Sequence, residues 1–157
     1  MPVITLQTLI KAPKQRVFDL SLSIDLHKIS TAHTGEEAIA GTTSGLIGLH
    51  ETVTWKAKHL GKTRMLTTKI TAMKPPGFFA DEMVSGDFKS FRHEHLFEHH
   101  EEGTIMIDVF TYQSPYGLFG KLADRLFLKN YMRRLLRGRN EVIKEFAESE
   151  RWMEVLL

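Results

Sequence analysis

The chain has 157 residues, of which 42% are hydrophobic and 25% charged, a composition typical of a globular domain rather than of a disordered chain. The 21 Lys and Arg residues against 19 Asp and Glu leave a formal net charge of +2, which does not indicate a nucleic-acid-binding protein. The sequence has no cysteine, which excludes disulfides, thiolate catalysis and zinc sites with sulfur ligands. We therefore expect one domain over residues 1–157, in which only oxygen and nitrogen are left as metal ligands.

The first thirty residues predict one strand followed by two short helices. Apolar alternation over residues 3–11 is typical of a strand, and Pro13 suits the first turn of a helix. An amphipathic helix is predicted over residues 15–22, and Asp25 is placed to cap a second helix that runs to Ile29. Because Lys11 and Pro13 interrupt the apolar opening, we expect neither a signal peptide nor a membrane span, and a cytoplasmic location.

The remaining sequence predicts an antiparallel meander and then a long helix. Between residues 36 and 112, β-rich runs are separated by turn signals at residues 61–62, 74–77, 85–87 and 102–103. Ser114 can cap the final helix and Pro115 can occupy its first position. Apolar residues recur along that helix at roughly helical spacing, namely Leu118, Leu122, Leu126, Met132, Leu135, Val142 and Phe146. The predicted fold class is therefore α+β.

The turn at residues 61–62 predicts which face of the first hairpin is buried. A two-residue turn there places Trp55 opposite Thr68 and Val53 opposite Ile70, on one apolar face. The alternate positions are mostly polar and are expected to face solvent; they are Thr54, Lys56, Lys58, Met65, Thr67 and Lys69.

The turn at residues 102–103 predicts a mixed face in the second hairpin. The predicted cross-strand pairs are Phe97 with Asp108, His95 with Phe110, and His93 with Tyr112. The alternate residues of the first strand are charged, so the aromatic and histidine side is the buried one. A three-residue turn would instead shift the register by one residue and separate the aspartate from the histidines.

Two histidines and one aspartate of this face are the main candidates for chemistry. His93, His95 and Asp108 could form a metal or acid–base site, with Asp108 fixing the tautomer of His95. The sequence places no third nitrogen ligand, so we favour polar groups that line a ligand cavity, with ordinary hydrogen-bonded core residues as the alternative. A buried carboxylate needs a partner or water, which an open interior would supply.

The aromatic residues of the same region complete the candidate ligand-binding set. This set consists of Trp55, His93, His95, Phe97, Asp108, Phe110 and Tyr112. The tryptophan and the tyrosine carry polar atoms on apolar rings and suit a pocket, although core or rim positions are the more common explanation for such residues. We predict no catalytic residue, no metal and no cofactor.

A basic stripe marks the final helix. Lys121, Arg125, Lys129, Arg133 and Arg137 recur every four residues. A charged row beside an apolar row is usually a solvated face; the alternative is a docking surface for anionic lipid, RNA or an acidic partner. Without interleaved aromatic residues, nucleic acid is not the expected partner.

The sequence lacks the common catalytic motifs. It contains no Gly-x-Ser-x-Gly, no GxGxxG after a strand, no phosphate-binding GxxxxGK[ST] and no HExxH. The absence of these motifs gives no support for an enzyme but does not exclude one.

Nearly the whole sequence resembles the START/Bet v 1-like superfamily, also called SRPBCC, whose helix-grip members include polyketide cyclases. The resemblance is carried by the segments ITLQTLIKAPKQRVFDL, VTWKAKHLGK, FRHEHLF, TIMIDVFTYQSPYG and LLRGRNEVIKEF. They are similar to a bacterial subgroup that occurs alone or fused to epimerase-like domains.

The resemblance implies a curved antiparallel sheet wrapped around a long C-terminal helix, with a hydrophobic cavity between them. It implies binding or transport of a small hydrophobic molecule, such as a lipid or polyketide, without stable membrane insertion. The alternative function is an enzyme of the cyclase, dehydratase or hydrolase type that uses cavity His and Asp side chains as acid–base groups. Ligand identity and oligomeric state are not predicted.

Overall fold

The computed structural model describes residues 1–114, 122 and 127–157, and shows seven strands and four α-helices in that part of the chain. The elements are β1 (Val3–Ile10), α1 (Lys14–Leu22), α2 (Ile24–Ser30), β2 (Glu37–Gly41), β3 (Thr52–His59), β4 (Lys62–Lys74), β5 (Phe78–Ser85), β6 (Ser90–His100), β7 (Gly103–Gln113), α3 (Lys129–Glu148) and α4 (Met153–Leu156). Short 3₁₀ turns cover Ala32–Thr34 and Glu150–Trp152. The order of elements is the predicted one.

One antiparallel sheet holds all seven strands, in the order β1-β7-β6-β5-β4-β3-β2. Because β1 pairs with β7, the first strand closes the meander at the edge opposite β2. Burial alternates along β6 and β7, as expected for a sheet that buries one face. In the part of the chain that the structure describes, no helix is long and apolar enough to cross a membrane.

The two short helices pack between the ends of the sheet and α3. Val17, Phe18 and Leu20 of α1 are buried, and α1 contacts α3, β6 and β7. The cap of α2 differs from the prediction: Ser23, not Asp25, accepts a hydrogen bond through Oγ from the backbone N–H of Leu26, at 3.1 Å. Asp25 lies in the first turn of α2, where its negative charge interacts favourably with the helix dipole.

The long helix α3 buries a stripe at helical spacing that includes two polar residues. Its buried members are Leu136, Arg139, Asn140, Ile143, Phe146 and Ala147. The predicted stripe is correct at Phe146 but out of phase before it, because Leu135 and Val142 are only partly buried. The predicted start at Pro115, and the apolar positions 118 and 126, lie outside the described residues.

The β3–β4 hairpin has the predicted faces but a register that differs by two residues. Trp55 pairs with Leu66 rather than with Thr68, and Val53 pairs with Thr68 rather than with Ile70. The two turn residues are Leu60 and Gly61, both with positive φ, as a type I′ turn requires. A shift of two residues keeps every side chain on its predicted face.

The β6–β7 hairpin shows the same difference. His95 pairs with Asp108, Phe97 with Met106, and His93 with Phe110. The turn consists of residues 101–102, and Gly103 begins β7. A Cβ atom at Gly103 would collide with the carbonyl oxygen of Ile10, so this glycine allows β1 to approach rather than forming the turn.

Candidate functional site

A cavity of about 210 Å³ lies between the sheet and α3. Most of its wall is apolar and comes from α2, the central strands and the helix; examples are Ile24, Val53, Trp55, Ile70, Phe91, Phe110, Met132 and Leu136. Three polar side chains, Asp81, His93 and His95, interrupt this wall on neighbouring strands, and Arg139 faces them from α3. The cavity thus combines a large apolar lining with a compact polar cluster.

Asp108 is the buried centre of the polar cluster. Its Oδ1 accepts from His93 Nε2 at 2.7 Å and from Arg139 at 3.4 Å, and its Oδ2 accepts from Asn140 Nδ2 at 2.7 Å. Burial alone would raise the pKa of Asp108, but the Arg139 charge and the hydrogen bond from His93 lower it well below 3.8. The side chain is therefore a carboxylate, and His93 Nε2 must be the donor.

His95 is held in one tautomer by partners on both ring nitrogens. Arg139 lies 3.3 Å from Nδ1, and Asp81 Oδ1 lies 2.7 Å from Nε2. Because a guanidinium can only donate, Nδ1 accepts and the proton is on Nε2, which donates to Asp81. Burial and the nearby His93 lower the pKa of His95 to about 3, despite the opposing effect of Asp81. The ring is neutral near pH 7.

The other carboxylate of the cluster, Asp81, lies on β5 beside the histidines of β6. Burial would raise its pKa, but the hydrogen bond and charge of His95 lower it below 3.8. Its side chain remains 18% exposed and lines the cavity, whereas Asp108 is fully buried. Asp81 is therefore the carboxylate of the cluster that a cavity ligand can reach.

The rings of His93 and His95 lie in one stack with Phe79. Phe79 lies 4.0 Å from His95 between ring centroids, at an interplanar angle of 13°. His93 lies 3.7 Å from the other face of His95, at 28°. Phe110 contacts His93 edge-on at 5.4 Å. These contacts fix both imidazoles in the wall of the cavity.

A second group of polar side chains lines the cavity. His27 Nε2 is 2.9 Å from Glu36 Oε1, and the His27 ring packs at 4.2 Å on Trp55. Burial would raise the pKa of Glu36, but the hydrogen bond and charge of His27 lower it overall. His59, which also lines the cavity, hydrogen-bonds through Nδ1 to the Tyr131 hydroxyl at 2.9 Å. The cavity lining therefore holds polar pairs in addition to the cluster around Asp81.

The predicted ligand-binding residues occupy two kinds of position. Trp55, His93, His95 and Phe110 line the cavity. The other three are buried around it: Phe97 packs edge-on against the Phe18 ring at 5.5 Å, Tyr112 packs among aromatic rings, and Asp108 lies behind the histidines. Asp108 directly opposes His95 in the sheet but bonds to His93, whereas the sequence analysis predicted His95 as its partner.

Three residues of the cluster were not predicted as site residues, namely Asp81, Arg139 and Asn140. Asp81 follows buried Phe79 by two residues and therefore lies on the same face of its strand. Arg139 and Asn140 fall three and four residues after Leu136, on the buried side of α3. A polar or charged residue within an otherwise apolar stripe is the pattern that would have indicated these positions.

The cluster has three potential metal-ligating residues but offers few free ligand atoms. One ligand atom from each of Asp81, His93 and His95 lies within 4.8 Å of the others. Both His95 nitrogens already have hydrogen-bond partners, and Arg139 places a positive charge beside them. The network as folded thus leaves fewer open ligand atoms than the three that a protein-bound metal commonly needs.

The predicted basic stripe is only partly described. Lys121 and Arg125 lie outside the described residues, while Lys129, Arg133 and Arg137 belong to α3. Arg137 is exposed and the other two are half-buried. None of these three lines the cavity.

Comparison with solved structures identifies the fold. The protein TTHA0849 from Thermus thermophilus matches with a TM-score of 0.75 and 20% identity, over 98% of each chain. Major latex-like protein 151 from Panax ginseng matches with a TM-score of 0.69 and 16% identity, over 93% of this chain and 97% of that one. Ara h 8.0201 matches with a TM-score of 0.68 and 12% identity, over the same shares.

The chain has the Bet v 1-like helix-grip fold. Its seven-stranded curved antiparallel sheet and long C-terminal helix match that architecture, so the predicted α+β class and the predicted resemblance are confirmed at the level of fold. No protein-family model and no curated protein matches the sequence. The fold alone does not establish a function, which has to be argued from the side chains of the cavity.

Proposed function

We propose that this protein binds or transports a small, mostly apolar molecule in the cavity between the sheet and α3. The observation that carries the proposal is the combination of an apolar wall and a polar cluster in one cavity. Apolar surface would provide most of the binding free energy, and the cluster of Asp81, His93, His95 and Arg139 would orient the polar end of the ligand. The Bet v 1-like fold supports a ligand-binding role.

Binding is expected to change the fluorescence of Trp55. The chain has two tryptophans, of which Trp55 lines the cavity and Trp152 does not. A Trp152→Phe variant therefore isolates the reporter inside the site. Titration of this variant with decanol should give a saturable change in emission, and calorimetry on the wild type should give the same dissociation constant.

A substitution that fills the cavity tests whether the ligand binds there. Leu136→Phe adds volume to the cavity wall and is expected to weaken decanol binding at least about tenfold, which corresponds to about 1.4 kcal/mol. Leu49→Phe makes the same change at a position that is 44% exposed and outside the lining, and should leave affinity unchanged. Equal affinity in the two variants, or no saturable binding of decanol to the wild type, would contradict the proposal.

General acid–base catalysis is a second candidate, favoured by the His93–Asp108 pair. Asp108 holds His93 Nε2, so that Nδ1 is the atom left to exchange a proton with a substrate. His95 does not suit this role, since both of its nitrogens have partners.

Catalysis predicts product formation that depends on His93. Purified protein would be incubated with a panel of apolar esters and β-diketones, and products would be detected by mass spectrometry. A His93→Gln variant should then lose turnover at least about a hundredfold, while circular dichroism and urea denaturation show that the variant is folded. Turnover that is absent in the wild type, or equal in wild type and variant, would count against an enzyme.

A further inference from the structure

Two polar atoms in the cavity wall have no hydrogen-bond partner among the described residues. Asp81 accepts from His95 through Oδ1, which leaves Oδ2 free to accept from a ligand. His93 donates to Asp108 through Nε2, which leaves Nδ1 without a partner. Both side chains line the cavity, and one ligand atom of each lies within 4.8 Å of the other. One polar group of a ligand can therefore approach both side chains.

Carboxylates outnumber guanidinium groups around these two atoms. Asp81 and Asp108 are carboxylates, and Arg139 is the one guanidinium that the described part of the chain places among them. Arg139 lies 3.4 Å from Asp108, so its charge is already opposed there. Glu36 adds another carboxylate to the cavity lining, paired with His27. Without counting the imidazoles, the two carboxylates and one guanidinium around Asp81 carry one formal negative charge.

We propose, on the basis of the ligand-binding function above, that the cavity selects ligands whose polar end donates hydrogen bonds, such as alcohols and amines, and discriminates against carboxylates. A hydroxyl can donate its one proton to Asp81 Oδ2, and an amine can donate to Asp81 and keeps further N–H groups for neighbouring acceptors. A carboxylate has no proton to donate and would bring a second negative charge beside Asp81, in a cavity that screens charge poorly. Fatty acids are therefore poor ligands for this site, although their chains fit its apolar wall.

A series of ligands with one chain and three polar ends tests this selectivity. Decanol, decylamine and decanoic acid would be titrated into the full chain at about pH 7, with calorimetry or Trp55 emission as the readout. We expect decanol and decylamine to bind at least about tenfold more tightly than decanoic acid, because like charge at Asp81 opposes only the acid.

Substitution of Asp81 tests the cause of the selectivity. Asp81→Asn keeps an oxygen that can accept from His95, removes the negative charge and adds an amide donor. The preference for decanol over decanoic acid should shrink to less than about threefold. Asp87→Asn makes the same chemical change on an exposed residue paired with Arg64, and should keep the wild-type preference.

The outcomes separate this inference from the proposed function. Binding of decanol and decanoic acid with equal affinity would overturn the inference and leave the ligand-binding function standing. No binding of any of the three ligands would overturn both. A preference that Asp81→Asn leaves unchanged would overturn the role of Asp81, and if that variant does not fold, the wild-type series alone decides the selectivity.

Discussion

Replacing Asp108 with alanine is expected to lower the free energy of unfolding by about 3–5 kcal/mol. The substitution would leave the Arg139 guanidinium buried without its nearest carboxylate, and it would remove the acceptors of His93 and Asn140. Buried donors without partners and an uncompensated buried charge are among the few causes of losses this large. Urea denaturation at neutral pH, followed by circular dichroism, measures the loss.

Asp87→Ala is the matched control for this prediction. Asp87 forms an ion pair with Arg64 at 2.7 Å, but its side chain is 58% exposed. Exposed pairs contribute about 0–1 kcal/mol, so this variant should stay close to the wild type. Similar small losses in both variants would show that the Asp108 network does not stabilise the core.

Acid is expected to destabilise the protein below pH 6.5, in part through His95. In the folded state burial lowers the pKa of His95 to about 3, while in the unfolded chain the ring takes its usual value of 6.5. Between these values the unfolded state binds more protons, so the free energy of unfolding falls as pH falls, by up to about 1.4 kcal/mol per pH unit. Urea denaturation at about pH 7 and pH 4.5 measures the slope.

Two variants separate His95 from the other titrating groups. His95→Gln keeps a side-chain donor for Asp81 but has no imidazole to protonate, so its stability should vary less with pH over this window. His99→Gln removes an exposed histidine of the same strand and should keep the wild-type slope. Equal slopes in the wild type and His95→Gln would contradict the prediction. Asp81 and Asp108, whose folded pKa values are lowered, add a further loss only as pH falls below about 3.8.

The order of elements could be predicted because local periodicity determines it. Alternation with a period of two marks the strands, and the helical spacing of apolar residues marks α1 and α3. The phase of α3 was harder to predict, because its buried stripe contains Arg139 and Asn140. A pattern that counts only apolar residues selects Leu135 and Val142 instead of Leu136 and Ile143.

Strand registers were wrong by two residues because glycine has more than one structural role. Gly61 is the second residue of its turn, after Leu60, and not the first. Gly103 follows its turn and allows β1 to approach. Because both errors are even, the buried faces of the hairpins were predicted correctly even though the cross-strand partners were not.

The candidate site could be predicted only where one hairpin builds it. His93, His95 and Asp108 lie on β6 and β7, and their shared face follows from strand alternation. Asp81 comes from the strand on the other side of β6, and Arg139 from a helix thirty-one residues after Asp108. Contacts of this kind depend on how the sheet curves around the helix, which local spacing does not encode.

The ring stack on His95 has a kinetic consequence. Phe79 covers one face of the imidazole and His93 covers the other, while Asp81 and Arg139 occupy the two nitrogen edges. The Nε2 proton is hydrogen-bonded to Asp81, so it exchanges with water only after this hydrogen bond opens. Exchange of that proton with the solvent therefore reports the opening of the His95–Asp81 contact.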